Sequence, residues 1–139
     1  LTNEEMEIMR EHVTITYEIL ENLGSRDVQE YASYHHEKLD GTGYPFGLKK
    51  DQLSIPARII IVADIMGALM AARSYKESFP KDKIINILSE LAAQSKIDQS
   101  LVDLVIDKYD DFCQYLSSLS NPYHKFKNEY MSIVTKMSP

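Results

Sequence analysis

Only one of the 139 residues is cysteine, Cys113. This excludes an internal disulfide framework and any thiolate-rich zinc site. Cations are also scarce, 15 Lys and Arg against 21 Asp and Glu, for a formal net charge of -6. Non-specific affinity for a phosphate backbone comes mainly from Lys and Arg, so the balance argues against DNA as a partner. A small anionic ligand stays compatible where metals and a few local cations neutralise it. Long apolar runs are missing too: the longest, Ile59 to Ala72, is broken by Asp64 and falls short of the roughly 20 residues a bilayer span needs. It reads as a core helix, and no membrane segment is expected. No signal-peptide pattern follows Leu1, and the expected location is cytoplasmic. Neither internal repeats nor low-complexity tracts nor convincing alternating strand patterns occur.

What is present suits a globular chain, 44% hydrophobic and 26% charged, and is read as one domain over 1–139. Thr2 with Glu5 forms a capping-box pattern, after which Ile8, His12, Ile15 and Ile19 recur on one helical face. A first helix is expected from about Asn3 to Leu23, stopped by Gly24. Asp27 can cap a second, shorter helix ending near His36. Between Glu37 and Ile55 the periodicity vanishes, and Gly41, Gly43 and Gly47 fall close together with Pro45, marking an ordered loop. Pro56 suits the first turn of a third helix reaching about Arg73. Pro80 opens a fourth, with Ile84, Leu88 and Leu91 on its apolar side. Asp98 caps a fifth, striped by Leu101, Val105, Tyr109, Phe112, Leu116 and Leu119. Asn121-Pro122 starts a sixth that presents Tyr123, Phe126, Tyr130, Ile133 and Met137. The fold class is therefore all-α, a compact bundle of about six helices with one glycine-rich loop.

Chemistry-bearing residues gather around that loop. Asp64 is the only charged residue from Ile59 through Ala72, so its carboxylate is expected to be buried. A buried carboxylate needs a cation, whether a metal or a salt bridge to Arg58 or Arg73. His35 and His36 sit together at a helix-to-loop junction, followed by an acidic residue and the glycines. His12 lies in the apolar stripe of the first helix, where it can be a satisfied core histidine or a ligand. Three histidines and one aspartate form an N/O donor set that suits iron, manganese or zinc better than magnesium or calcium. Two or more such ions can clamp a phosphodiester without any nucleophilic side chain, in keeping with the lack of a serine or cysteine nucleophile motif. Arg73 and Lys76, three apart, can present two cations to one phosphate, or simply answer a helix C-terminus. Tyr44 can stack on a base or merely pack.

The run from His35 through Glu37, Lys38, Leu39, Asp40, Gly41, Thr42, Gly43 and Tyr44 to Pro45 resembles the signature of HD-GYP domains. So do Phe46-Gly47-Leu48, Ile55-Pro56-Ala57-Arg58-Ile59, Ala63-Asp64, Ala68-Leu69 and Arg73-Ser74-Tyr75-Lys76, giving a likeness over roughly Leu1 to Val105. The remainder, 106–139, adds amphipathic helices without a motif of that family. The resemblance implies an HD-domain-like fold and a bacterial phosphodiesterase of cyclic di-GMP, with a cluster of two or three metal ions, iron or manganese before zinc. It implies metal ligands at His12, His35, His36 and Asp64, phosphate contacts at Arg73 and Lys76, and a ligand-bordering role for Tyr44. Two departures stand out. No His-Asp pair occurs in the sequence, so about half of the family's metal ligands are lacking and this chain alone is expected to be inactive. Position 67 is glycine where the family commonly has a second aspartate. These departures keep open a non-catalytic module that binds a cyclic dinucleotide or a partner signalling domain, and beyond it a helical scaffold with structural histidines.

Overall fold

The structure, a computed structural model, describes residues 2–22, 24–70 and 79–118. It is all-α. Among the described residues no β-strand forms, and the nearest approach to one is an isolated antiparallel bridge between Asp40 and Lys49.

Helix α1 spans Asn3–Glu21. Its start follows from two reciprocal bonds: the Glu5 amide donates to Thr2 Oγ1 (3.2 Å), and the Thr2 amide donates to Glu5 Oε2 (2.7 Å). It ends two residues earlier than the sequence suggested, and Gly24 takes a left-handed φ of 68° that a side chain would resist. Helix α2 covers Arg26–Ser33, and its N-cap is Ser25, not Asp27. Asp27 instead lies in the first turn, where its charge complements the helix dipole. Helix α3 runs Ile55–Met70, α4 Lys81–Ala93 with Pro80 at its N-cap, and α5 Gln99–Asp107. A 3-10 turn, Lys50–Gln52, interrupts the loop before α3.

The chain divides into two compact units, Leu1–Asp103 and Leu104–Pro139. In the first, α1 packs on α2, α2 on α3 and α3 on α4. Its buried side chains include Val13, Leu53, Ala57, Ile61, Val62, Ile84, Leu88, Ile97 and Val102. In the second, Val105 and Tyr109 are buried, whereas Phe112 and Leu116 are exposed. The fifth helix is not continuous as expected: a turn at Lys108 ends α5, and helical structure resumes over 109–118. Leu119, the sixth helix from Asn121, and the pair Arg73 and Lys76 lie outside the described residues.

One expectation about α1 is reversed. Ile8, Ile15 and Ile19, the predicted inner stripe, are exposed, Ile8 by 67%, while Val13 is fully buried. Helical period identifies an apolar face but not the element that covers it. Among the described residues α1 packs on α2, yet Ile8, Ile15 and Ile19 stay uncovered.

Arg58 ties the base of α3 to two distant segments. Its guanidinium group donates to the carbonyls of Leu53 (2.9 Å) and Lys50 (2.8 Å) and to Asp98 Oδ2 (3.1 Å). Asp98 in turn accepts the Ser100 amide at 3.0 Å and so caps α5, as expected. Burial alone would raise the Asp98 carboxyl, but the hydrogen bonds from Arg58 and the Ser100 amide outweigh it and hold the group below the ordinary carboxylate range. A carboxyl lowered by folding contributes stability above its unfolded value of about 3.9 and loses it as pH falls through the folded value. The advantage of the native chain over Asp98→Asn in urea unfolding should therefore be present at pH 7 and fade below about pH 4. A difference that stays constant into acid would show that the ion pair contributes nothing to folding.

Candidate metal centre

Helix α2 ends at Ser33, so His35 and His36 lie on the turn just beyond it, facing α1. One nitrogen from each of His12, His35 and His36 falls within 4.8 Å of the other two. The ring centroids of His12 are 5.7 Å from those of His35 and 5.4 Å from those of His36, and the two loop rings are 4.1 Å apart. His12 is exposed rather than buried in a core, so the reading of it as a core histidine does not hold.

The protonation of two of these rings can be argued from their partners. His35 Nδ1 lies 2.8 Å from the Ala32 carbonyl, which can only accept, so Nδ1 carries the proton and Nε2 offers a lone pair. Burial, reinforced by the neighbouring His35 and His12, holds the His36 imidazole below its ordinary value in spite of Asp64, which pulls it up. A depressed imidazole is neutral at pH 7 and able to coordinate. The donor set fits a transition-metal ion in number and kind.

Asp64 comes from α3, with Oδ2 3.8 Å from His36 Nδ1. It is not buried. Its side chain is 43% exposed, because the side of α3 that carries Ala63, Asp64, Gly67 and Ala68 is uncovered among the described residues. Arg58, one suggested salt-bridge partner, is engaged with Asp98 instead. Between α2 and α3 a hollow of about 570 Å³ opens beside His35 and Asp64, walled by Val28, Tyr31, Ala32 and Ile60. Gly67, one turn beyond Asp64, faces open space, and a Cβ there would meet nothing within 4 Å.

The glycine-rich loop is folded back onto the histidine turn. Glu37, 1% exposed, accepts the amides of Phe46 (2.7 Å) and Leu48 (2.9 Å), one on each carboxylate oxygen. The Tyr44 amide donates to the His36 carbonyl at 3.2 Å, and Gly43 lies backbone to backbone against Glu37 and Lys38. Phe46 meets the rings of Tyr17 on α1 (4.9 Å) and Tyr34 at the end of α2 (5.9 Å). This anchoring places the Tyr44 ring 4.8 Å from that of His36. Burial keeps the Tyr44 hydroxyl above its ordinary value, partly offset by Arg10, so it stays protonated at neutral pH.

The structure thus brings His12, His35, His36, Asp64 and Tyr44 to one place. Sequence reasoning missed two residues beside them. Glu37 could have been found as the acidic residue between the histidines and the glycines. Arg10 gave no comparable signal.

Residues 1–101 match the profile of the HD domain family. The chain is 42% identical over 91 residues to a cyclic di-GMP phosphodiesterase response regulator of Xanthomonas campestris pv. campestris, covering 63% of this chain and 24% of that protein. It is 39% identical over 124 residues to 3'3'-cGAMP-specific phosphodiesterase 2 of Vibrio cholerae, covering 86% and 23% of the two chains. With a cyclic di-GMP phosphodiesterase of Thermotoga maritima the identity is 39% over 97 residues, covering 68% and 26%. The chain spans about a quarter of the length of these relatives.

Proposed function

The chain belongs to the HD domain family as an HD-GYP-type domain, and from that premise we infer that it forms part of the metal centre of a phosphodiesterase that opens cyclic di-GMP to the linear dinucleotide. The observation that carries this reading is the meeting of three imidazole nitrogens within 4.8 Å beside the Asp64 carboxylate. His12, His35, His36 and Asp64 would hold the ions, iron or manganese before zinc, in a cluster of two or three whose remaining ligands come from outside this chain. Bound there, such ions supply Lewis acidity toward a phosphodiester and make water a competent nucleophile near neutral pH.

The protein's own groups do the rest. The Ala32 carbonyl favours the His35 tautomer with the proton on Nδ1, which leaves Nε2 of that tautomer as the metal-binding atom. Tyr44 lies against His36 and restricts its ring, and the Glu37 latch keeps Tyr44 there. Arg73 and Lys76 would contact phosphate, and Tyr44 would border the bound base.

The test is a protein extended on the N-terminal side to include a His-Asp pair, analysed for metal content and for hydrolysis of cyclic di-GMP and 3'3'-cGAMP. Bound iron or manganese together with linear product is expected, and both should fall sharply in His35→Ala and His36→Ala. An extended protein that holds no transition metal would end this reading. Gly67 favours a second one, in which the module binds a cyclic dinucleotide or a signalling domain without cutting anything. Calorimetric binding with no product on chromatography would select it, and hydrolysis restored by Gly67→Asp would trace the loss to that position.

A further inference from the structure

Arg10 projects from α1 with its guanidinium carbon 5.3 Å from the centroid of the Tyr44 ring, and that ring lies 4.8 Å from His36. A cation is therefore parked one aromatic ring away from the histidine cluster. It forms no ion pair among the described residues. In a chain of net charge -6, a cation held on the ring that touches the histidine cluster is out of keeping with a purely solvated face. The guanidinium carbon lies within cation–π reach of the Tyr44 ring, and Arg10 is exposed, so its N–H groups stay accessible to an incoming ligand and can donate two parallel bonds. Such a fork is complementary to a phosphate, and the ring contact limits the side-chain freedom lost on binding.

We propose that Arg10 is a substrate-binding residue that takes the phosphate of a cyclic dinucleotide which is not being cut, while the histidine cluster faces the one that is. The assignment rests on the phosphodiesterase reading above and extends it. It gives the fastening of Tyr44 a purpose, because the ring stands 4.8 Å from His36 and 5.3 Å from the Arg10 guanidinium carbon. A substrate with two phosphodiesters engages both places at once, whereas an ester with a single phosphate uses only the cluster. Arg10 thus favours a cyclic dinucleotide over a simple diester.

The test compares Arg10→Ala and Arg10→Lys with the native protein in two ways. In this chain with manganese present, calorimetry measures the affinity for cyclic di-GMP. In the extended enzyme, steady-state kinetics are taken with cyclic di-GMP and with bis(p-nitrophenyl) phosphate, which carries one phosphate. Loss of a charge-assisted contact should weaken binding of cyclic di-GMP and raise its KM by about 10- to 100-fold in Arg10→Ala. The defect in kcat/KM should be at least about tenfold larger for the dinucleotide than for the simple ester. Arg10→Lys, which keeps the charge but not the fork, should fall between. Because Arg10 is exposed, the variant should retain native helix content, which circular dichroism verifies. Equal defects on the two substrates, or unchanged affinity beside a native chain that binds, would overturn the role of Arg10 alone. A native protein that neither binds nor cuts cyclic di-GMP would overturn the phosphodiesterase reading and this inference with it.

Discussion

Gly43→Ala should lower the melting temperature by roughly 9–15 °C, taking about 3 kcal/mol for an overpacked site and about 3–5 °C per kcal/mol for a chain of 139 residues. The reason is local. A Cβ at position 43 would overlap the Glu37 Cα and the Lys38 amide nitrogen and lie 2.5 Å from the Glu37 carbonyl carbon. All three are backbone atoms of the segment that follows His36, so no side chain can swing aside. The loop must lift, and Tyr44 with it. Gly67→Ala is the matching control, since open space surrounds it and it sits inside α3. Alanine there should stabilise by roughly 0.5–1 kcal/mol through better helix propensity. Differential scanning calorimetry of both variants decides the matter: a Gly43→Ala protein melting within about 2 °C of native would mean that the loop does not rest on the histidine turn.

Glu37→Ala should have the second largest effect, a loss of about 2–4 kcal/mol in urea unfolding, because it removes both acceptors of the Phe46 and Leu48 amides and leaves a void where a buried side chain stood. Glu37→Gln keeps the shape but turns one acceptor into a donor facing an N–H, so it should recover only part of the loss. Amide hydrogen exchange separates this latch from generic packing. Phe46 and Leu48 should lose protection selectively in both variants, while the amides within α4, such as that of Leu88, keep theirs. Unchanged protection at 46 and 48 would show that the carboxylate does not hold the loop.

Much of the local structure is legible in the sequence. Thr2 with Glu5 and Asp98 announced helix starts because capping is a matter between neighbours in sequence. The glycines and Pro45 announced the loop, and the histidine pair announced its place. What covers each face was not legible. Period and polarity alone place Ile8, Ile15, Ile19 and Asp64 in the interior, yet their surroundings depend on which elements pack against α1 and α3. The roles of Glu37 and Arg10 were hidden for the same reason: one acts on amides nine and eleven residues away, the other on a ring from a different segment.

The three contacts of Arg58 also bear on the order in which the site is assembled. Bringing His12 to His36 closes a chain segment of about 24 residues through the α1–α2 pair, whereas anchoring α3 through Arg58 to Asp98 closes one of 40. Closure entropy grows only with the logarithm of length, so the longer loop costs about half a kcal/mol more at equilibrium. The difference is felt in rate, since the shorter closure needs only a local helical hairpin and the longer one waits for α4 and the start of α5. The imidazoles can therefore gather before Arg58 anchors the base of α3.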